Sequence, residues 1–247
     1  MAGEKGKSSC CRVVSYNIHQ GVGLDGQLDV ERIARVINGL GADIVGLQEV
    51  SAPFGEDREI MQLDFLSEAT GLRAIGGPTI ERHDGYYGNA LLTRCRILEV
   101  RRFDLSYRRR ESRGVLDVEL ESGAGPLRVI VTHLGLLPAE RRFQVRRLLR
   151  IIEQSPIQPV VVVGDLNEWF LLGRPARWLH RHFGRVPAPR TFPAFFPLFS
   201  LDRILVQPKE ALMEVSTINN PLTRVASDHL PLQARINMSA TEWGEAG

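Results

Sequence analysis

An α/β fold is what this sequence predicts, and three observations carry it. Val160–Trp169 (VVVVGDLNEW) begins with four consecutive β-branched apolar residues, as a strand buried on both faces does. Similar apolar runs recur along the chain, separated by segments whose apolar residues return every third or fourth position, in the manner of amphipathic helices. Polar side chains suited to chemistry stand at the ends of the apolar runs, where α/β sheets hold their ligands.

Length and composition narrow the class. The 247 residues suffice for one α/β domain with a substantial core, and 43% hydrophobic with 24% charged residues are ordinary globular values. Neither a repeat nor a low-complexity linker interrupts the chain. Residues 11–236 therefore read as one domain between a disordered tail at 1–10 and a second tail at 237–247. Net charge is +2 (31 − 29), too small to argue for nucleic acid by itself. Lysine stands only at Lys5, Lys7 and Lys209, so 28 of the 31 basic residues are arginine. Bidentate phosphate recognition and a codon-composition bias both account for that. Cys10, Cys11 and Cys95 make no disulfide framework, which points to a reducing, cytoplasmic setting. The polar opening MAGEKGKSS has no apolar segment behind it, so no leader is expected, and no apolar run is long enough to span a bilayer.

The first strand is expected at Arg12–Ile18 (RVVSYNI), delivering Asn17 and His19 near its end. Gly21–Gln27 is a glycine-rich loop without dinucleotide-binding spacing. Asp29 can cap a helix with Ile33, Val36, Ile37 and Leu40 on one side, and Asn38-Gly39 is its expected stop. Asp43–Gln48 (DIVGLQ) is a second buried strand, and Glu49 after it is either a helix-start residue or a metal ligand. Residues 56–70 read as a helix. Tyr86–Arg94 and Ile97–Leu105 suggest a hairpin, with Asn89 after a glycine where backbone can approach a ligand closely. Arg108–Arg113 holds four arginines, Arg113 among them, which are either solvated or face phosphate. Gly114–Leu120 and Leu127–Thr132 are two more strands, the second ending in His133. Pro138 can open a helix to about Glu153, with Val145, Leu148, Leu149 and Ile152 on one side. Its arginines, Arg141, Arg142, Arg146, Arg147 and Arg150, fall mostly on the other, either solvated or against an anionic surface.

Asp165 and Asn167 follow the valines at i and i+2, and point the same way if the backbone stays extended. Such a pair offers a water-activating base beside a donor for a phosphoryl oxygen; an Asx turn is the plainer account. Phe170–Pro197 reads as irregular. Near its end Phe192, Phe195, Phe196 and Phe199 come together, and their plainest role is to roof the core. Lining a pocket for an apolar group or a flipped base, or touching lipid, are the alternatives. Asp202 opens the strand LDRILV, and Ser227-Asp228-His229 precedes a last strand at 230–236.

Asn17, Glu49, His133, Asp165, Asn167, Asp202, Asp228 and His229 thus gather at strand ends. A set rich in carboxylates and imidazoles, without paired cysteines, suits Mg²⁺ or Mn²⁺ better than structural zinc. Phosphoester hydrolysis needs such a set: charge neutralisation, a base for water, and donors for the phosphoryl oxygens. No P-loop signature is present, which argues against phosphoryl transfer from a nucleotide by that route.

SYNIH (15–19), LQEV (47–50), GNALLTR (88–94), THLG (132–135), GDLN (164–167), LDRI (201–204) and SDHLP (227–231) resemble, in order and spacing, the successive motifs of the endonuclease/exonuclease/phosphatase superfamily. The resemblance runs from about residue 11 to 236 and implies a four-layer sandwich: two packed, mostly antiparallel sheets flanked by helices, with the site at one edge. It implies a metal-binding role for Glu49, support from Asn17, and a second acidic position near the metal at Asp228. Asp165 resembles the aspartate that orients or deprotonates the attacking water, with Asn167 beside it on the phosphate. His229 resembles the histidine that binds the scissile phosphate, and Asp202 the carboxylate that holds it charged. His133 occupies a place where relatives carry histidine or tyrosine, as an acid at the leaving oxygen or a phosphate binder. His19 stands where many nuclease members have an acidic residue, which argues against a second metal there. Asn89, Arg113, His19 and Phe192 are the substrate-side candidates.

The implied activity is Mg²⁺- or Mn²⁺-dependent phosphoester hydrolysis, nuclease-like on a phosphodiester of nucleic acid. The alternative is a phosphodiesterase or phosphatase acting on a phospholipid or other small phosphoester, with peripheral membrane contact through the Phe192–Phe199 loop and the basic helix at 138–153.

Overall fold

The computed structural model describes residues 10–51, 61–82, 85–123, 125–155, 157, 159–170 and 173–239. In chain order the first half runs β1 (Cys10–Asn17), α1 (Val30–Leu40), β2 (Ile44–Ser51), α2 (Gln62–Thr70), β3 (Arg73–Arg82), β4 (Gly85–Thr93) and β5 (Arg96–Asp104). The second half runs β6 (Gly114–Ser122), β7 (Gly125–His133), α3 (Pro138–Glu153), β8 (Val160–Asp165), α4 (Arg174–Phe183), β9 (Asp202–Gln207), β10 (Leu212–Thr217), α5 (Pro221–Ala226) and β11 (Leu232–Asn237).

Two sheets result, six strands in the order β10-β11-β1-β2-β4-β3 and five in the order β5-β6-β7-β8-β9. The pairs β1–β2 and β7–β8 run parallel and the other neighbours antiparallel. Period-two alternation gives each inner strand two apolar faces. Val13, Ile44 and Leu91 of the first sheet meet Val129, Val131, Val161 and Val163 of the second in a layer between the sheets. On the outer face of the first sheet, Ile33, Ile37 and Leu66 of α1 and α2 cover Val14, Tyr16 and Leu47. On the outer face of the second, Leu148, Ile152, Leu179 and Phe183 of α3 and α4 cover Ile130, Val160 and Val162. The result is the four-layer α/β/β/α sandwich. The sheets approach closely at Gly46, where a Cβ would stand 2.2 Å from Val163 Cγ2.

Several local expectations give way to tertiary context. Asn38-Gly39 does not stop α1; the helix runs on to Leu40, and Gly41 ends it in the left-handed region at φ 56°. Its start is as expected, with Asp29 accepting from Arg32 N–H at 2.7 Å. Of the helix expected at 56–70, residues 62–70 form α2 and residues 56–60 lie outside the described residues. β4 and β5 are not a hairpin. β4 pairs with β2 and β3, whereas β5 pairs with β6, so the short turn between them passes from one sheet to the other.

β3 was hidden by its Gly76-Gly77-Pro78 interruption, β10 by its polar, half-exposed face, and α5 by being short. The segment expected to be irregular contains α4, which begins with Pro175 in its first turn and packs Leu179 and Phe183 inward. Arg141 is not on the solvent side of α3. It is buried, with Nε 3.4 Å from Glu168 Oε2 and Nη1 donating to the carbonyls of Gly135 and Leu136. Nor do the phenylalanines roof the core: Phe195, Phe196 and Phe199 are exposed. The proposed tails fall almost wholly outside the described residues; at their inner limits Cys10 and Asn237 pair as strand partners. No helix among the described residues is long and apolar enough to cross a membrane.

Candidate active site

Strand alternation carries the apolar series of the inter-sheet layer straight onto a polar rim. Val161 and Val163 face that layer, so Asp165, two residues on, does too. By the same count Val129 and Val131 lead to His133 on β7, and Ile204 and Val206 lead back to Asp202 on β9. Register then aligns the three, His133 opposite Asp165 and Asp165 opposite Asp202. On the other sheet, Val13 leads to Asn17 at the end of β1. The site is therefore the open edge of the central layer, where packing stops and buried polar groups begin.

Asp165 Oδ2 is the hub. It accepts from Asn17 Nδ2 at 3.2 Å and stands 3.6 Å from His229 Nε2 and 3.5 Å from His133 Nε2. Its other oxygen accepts the Asn167 N–H at 2.9 Å. Asn167 has left the extended region, with φ 48°, so the two side chains do not lie in parallel along a continuing strand. Instead the Asx turn and the site are one structure: the turn swings the Asn167 amide back to within 3.1 Å of His133 Nε2, and it donates to the Leu134 carbonyl at 2.9 Å.

The two histidines are held in opposite charge states. His229 Nδ1 is 2.8 Å from Asp202 Oδ2. Burial alone would lower its pKa, but Asp202 and then Asp165 override it and raise it to about 10, so the ring is a cation. His133 meets Arg113, whose Nη1 is 2.9 Å from Nδ1. Arginine can only donate, so Nδ1 accepts and the neutral ring carries its proton on Nε2. Burial, then the Arg113 and His229 charges, push His133 well below its usual value. For Asp165, burial lifts the carboxyl to about 6 against the pull of His229, with Asp202 adding to the rise.

The remaining expected residues group on two sides. Glu49 has φ 57° at an irregularity in β2, and its Oε1 accepts from Asn17 Nδ2 at 3.0 Å. Asn17 Oδ1 accepts the His19 N–H at 3.0 Å, while the His19 ring turns its Nδ1 to the Val22 carbonyl. Ser227, to which the sequence assigns no role, ties the last loop down: its Oγ donates to the Asn17 carbonyl at 2.8 Å and accepts the His229 N–H. Asp228 beside it is half-buried. Asn89 is buried and donates to the Gly114 carbonyl of the other sheet at 3.1 Å.

Of the arginine cluster, Arg108, Arg109 and Arg110 are exposed and only Arg113 joins the site. Phe192 stands with its ring centroid 4.8 Å from that of His229. Two residues escaped sequence reasoning. Tyr87 has its phenol pushed up by burial and then by the Glu49 charge, with Arg113 opposing. Trp169 packs edge-on against Phe199 at 4.9 Å. The signal for Tyr87 was alternation along YYGNALLTR, since its neighbour Tyr86 packs on the outer face of the sheet.

Oxygen is the donor atom near Glu49, which suits a hard cation. Among the described residues Glu49 Oε2 takes no hydrogen bond, whereas Oε1 is braced by Asn17. No cluster of three acidic, imidazole or thiolate side chains is preassembled there among the described residues. A carboxylate braced by an amide is the kind of oxygen ligand that Mg²⁺ or Mn²⁺ takes, with water and substrate phosphate completing the shell.

A family model described as Endonuclease/Exonuclease/phosphatase family matches residues 14–229. The protein YbhP of Escherichia coli (strain K12) is 31% identical over 249 residues, covering 92% of this chain and 96% of its own. The fold is shared with a solved endonuclease/exonuclease/phosphatase from Beutenbergia cavernae at TM-score 0.74 and 22% identity, over 92% of this chain and 71% of that one. It is shared also with the mannosyl-6-phosphatase Bt3783 of Bacteroides thetaiotaomicron at TM-score 0.70 and 19% identity, over 91% of this chain and 98% of that one.

Proposed function

The chain belongs to the endonuclease/exonuclease/phosphatase family, and from that premise we propose that it is a Mg²⁺- or Mn²⁺-dependent phosphodiesterase that attacks phosphorus with an Asp165-activated water. The observation that carries the reading is Asp165 Oδ2, a buried carboxylate oxygen set between a cationic and a neutral histidine at the open edge of the sandwich.

Glu49, braced by Asn17, would hold the cation, with Asp228, beside the Ser227 that bonds the Asn17 carbonyl, the second acidic candidate. Bound there, the cation would neutralise charge on the phosphoryl oxygens. Asp165, with its carboxyl raised toward neutrality by burial, takes the proton of the attacking water. Charged His229 stabilises the negative charge that grows on the non-bridging oxygens, and Asp202 keeps that ring charged and oriented. Both hydrogens of the Asn17 amide are taken by Glu49 and Asp165, so Asn17 positions these two carboxylates, while the Asn167 amide beside His133 is the further donor at this edge for the phosphate. His133, neutral through Arg113, offers a hydrogen bond from Nε2 and orients Asp165; its lowered pKa favours the phosphate-binding role over that of an acid at the leaving oxygen.

The test is hydrolysis of bis(p-nitrophenyl) phosphate against p-nitrophenyl phosphate, with and without Mn²⁺. Metal-dependent cleavage of the diester supports the reading. Cleavage of the monoester alone would make the protein a phosphatase instead.

Glu49→Gln is expected to weaken Mn²⁺ affinity roughly tenfold or more, read by titration calorimetry. An unchanged isotherm would remove Glu49 as a ligand. The pH profile of kcat/KM is expected to be a bell. Asp165 works ionised, so activity falls as pH drops through about 6. His229 works protonated, so activity falls again as pH rises through about 10. An acid limb at an ordinary aspartate value of about 4 would contradict the part given to Asp165 burial.

A further inference from the structure

The loops that surround the site carry an apolar surface the chemistry above does not use. They follow β7, follow β8 and precede β9, three adjacent strands, and so open on the same edge. Leu136 and Leu137 stand exposed on the first, Trp169 and Phe170 on the second, Phe195 and Phe196 on the third. Four of the six show well over half their surface: Phe170 67%, Phe195 66%, Phe196 63% and Leu136 61%.

The described residues of the three loops are pinned by hydrogen bonds. Arg141 clips the first two together, donating to the Gly135 and Leu136 carbonyls and pairing with Glu168, whose other oxygen accepts the Phe170 N–H at 3.1 Å. In the third, the Phe192 and Phe199 backbones exchange hydrogen bonds of 3.0 and 2.8 Å, Phe196 N–H donates to Pro193, and Ala194 N–H donates to Asp228 at 2.7 Å. The tip bearing Phe195 and Phe196 is thus a pinned turn. Trp169 contacts Phe192 at 5.9 Å, and Phe192 contacts His229, so the apolar surface is continuous with the catalytic ring.

Arg174 and Arg177 at the start of α4, the helix that follows the second loop, and Arg190, just before the third, are all exposed and without an acidic partner among the described residues. Large apolar residues rimmed by cationic ones mark an interaction surface. Nucleic acid would use the arginines and could stack on aromatic rings, but exposed leucines offer a base nothing to stack on and a phosphate nothing to bond. Insertion of apolar tips together with attraction of cations to anionic headgroups is the two-signal combination that holds a protein on a bilayer.

We propose that this edge docks on an anionic phospholipid bilayer, Phe195, Phe196 and Phe170 entering the interface, so that the substrate phosphodiester is that of a lipid headgroup. The inference rests on the hydrolase reading for its substrate and on the loops alone for its docking. The full chain is expected to cosediment with phosphatidylcholine vesicles that contain phosphatidylglycerol and much less with phosphatidylcholine alone. A Phe195→Ser/Phe196→Ser variant is expected to lose about tenfold or more in partitioning, while hydrolysing soluble bis(p-nitrophenyl) phosphate at the wild-type rate. Wild-type protein left in the supernatant, or a variant that partitions equally, overturns the docking. So does tight, salt-sensitive binding of a single-stranded oligonucleotide without vesicle binding, or self-association that the double substitution abolishes. Vesicle binding with no hydrolysis of the soluble ester would retain the docking surface and remove the hydrolase; soluble hydrolysis without vesicle binding would do the reverse.

Discussion

Asp165→Asn is expected to fold, and to lose turnover of bis(p-nitrophenyl) phosphate by roughly 10²–10⁴-fold, the range a positioned general base contributes. The amide has the same volume, so the inter-sheet layer beneath it is undisturbed. It can accept from the Asn167 N–H or from Asn17 Nδ2, the two donors that meet the carboxylate at 2.9 and 3.2 Å, but not from both. The lost acceptor costs on the order of 1 kcal/mol, visible as a small drop in melting temperature. Proton acceptance is what disappears. Near-wild-type turnover in this variant would take the base role away from Asp165, whatever the melting curve shows.

His229→Gln is expected to reduce kcat by about 10²–10³-fold, as removal of one preorganised donor to a developing oxyanion does. A structural cost comes with it. Asp202 is fully buried with one oxygen on His229 Nδ1, and its other oxygen has no hydrogen-bond partner among the described residues. Taking away the imidazolium leaves that carboxylate without its counter-charge, a loss on the order of 3–5 kcal/mol. The double variant His229→Gln/Asp202→Asn separates the two effects. It should recover much of the melting temperature, because an amide pair replaces a stranded charge, yet stay as inactive as the single variant. If activity returned along with stability, His229 would be a structural residue and the phosphate would find its cation elsewhere.

The expected pH limits follow from the same burial that makes these variants costly. Asp165 and His229 share one buried edge, and each sets the other's proton affinity, so the bell belongs to the pair and not to either residue alone.

Local patterning along the chain is enough to give the class of elements and to say which polar residues end the core-facing side of each strand. Four valines followed by Asp165, and alternation ending at His133, Asn17 and Asp202, are local facts, because a strand's two-residue period dictates which side chain comes next on the same face. The helix at 138–153 was equally legible, since Pro138 and its apolar stripe are local as well. Strand pairing was not. β4 and β5 are joined by a turn short enough for a hairpin, and only the packing of two sheets sends them apart.

Burial of charge was likewise beyond reach. Arg113 looked like one of four clustered arginines and Arg141 like one of five on a helix, until a histidine and a glutamate from distant segments met them. Tertiary structure also decided the protonation of two otherwise equivalent histidines. His229 faces carboxylates and is held charged, His133 faces a guanidinium and is held neutral, and the fold sets them on either side of one carboxylate oxygen. Electrostatic state depends on what lies within a few ångströms in space, and spacing along the chain carries no record of that distance.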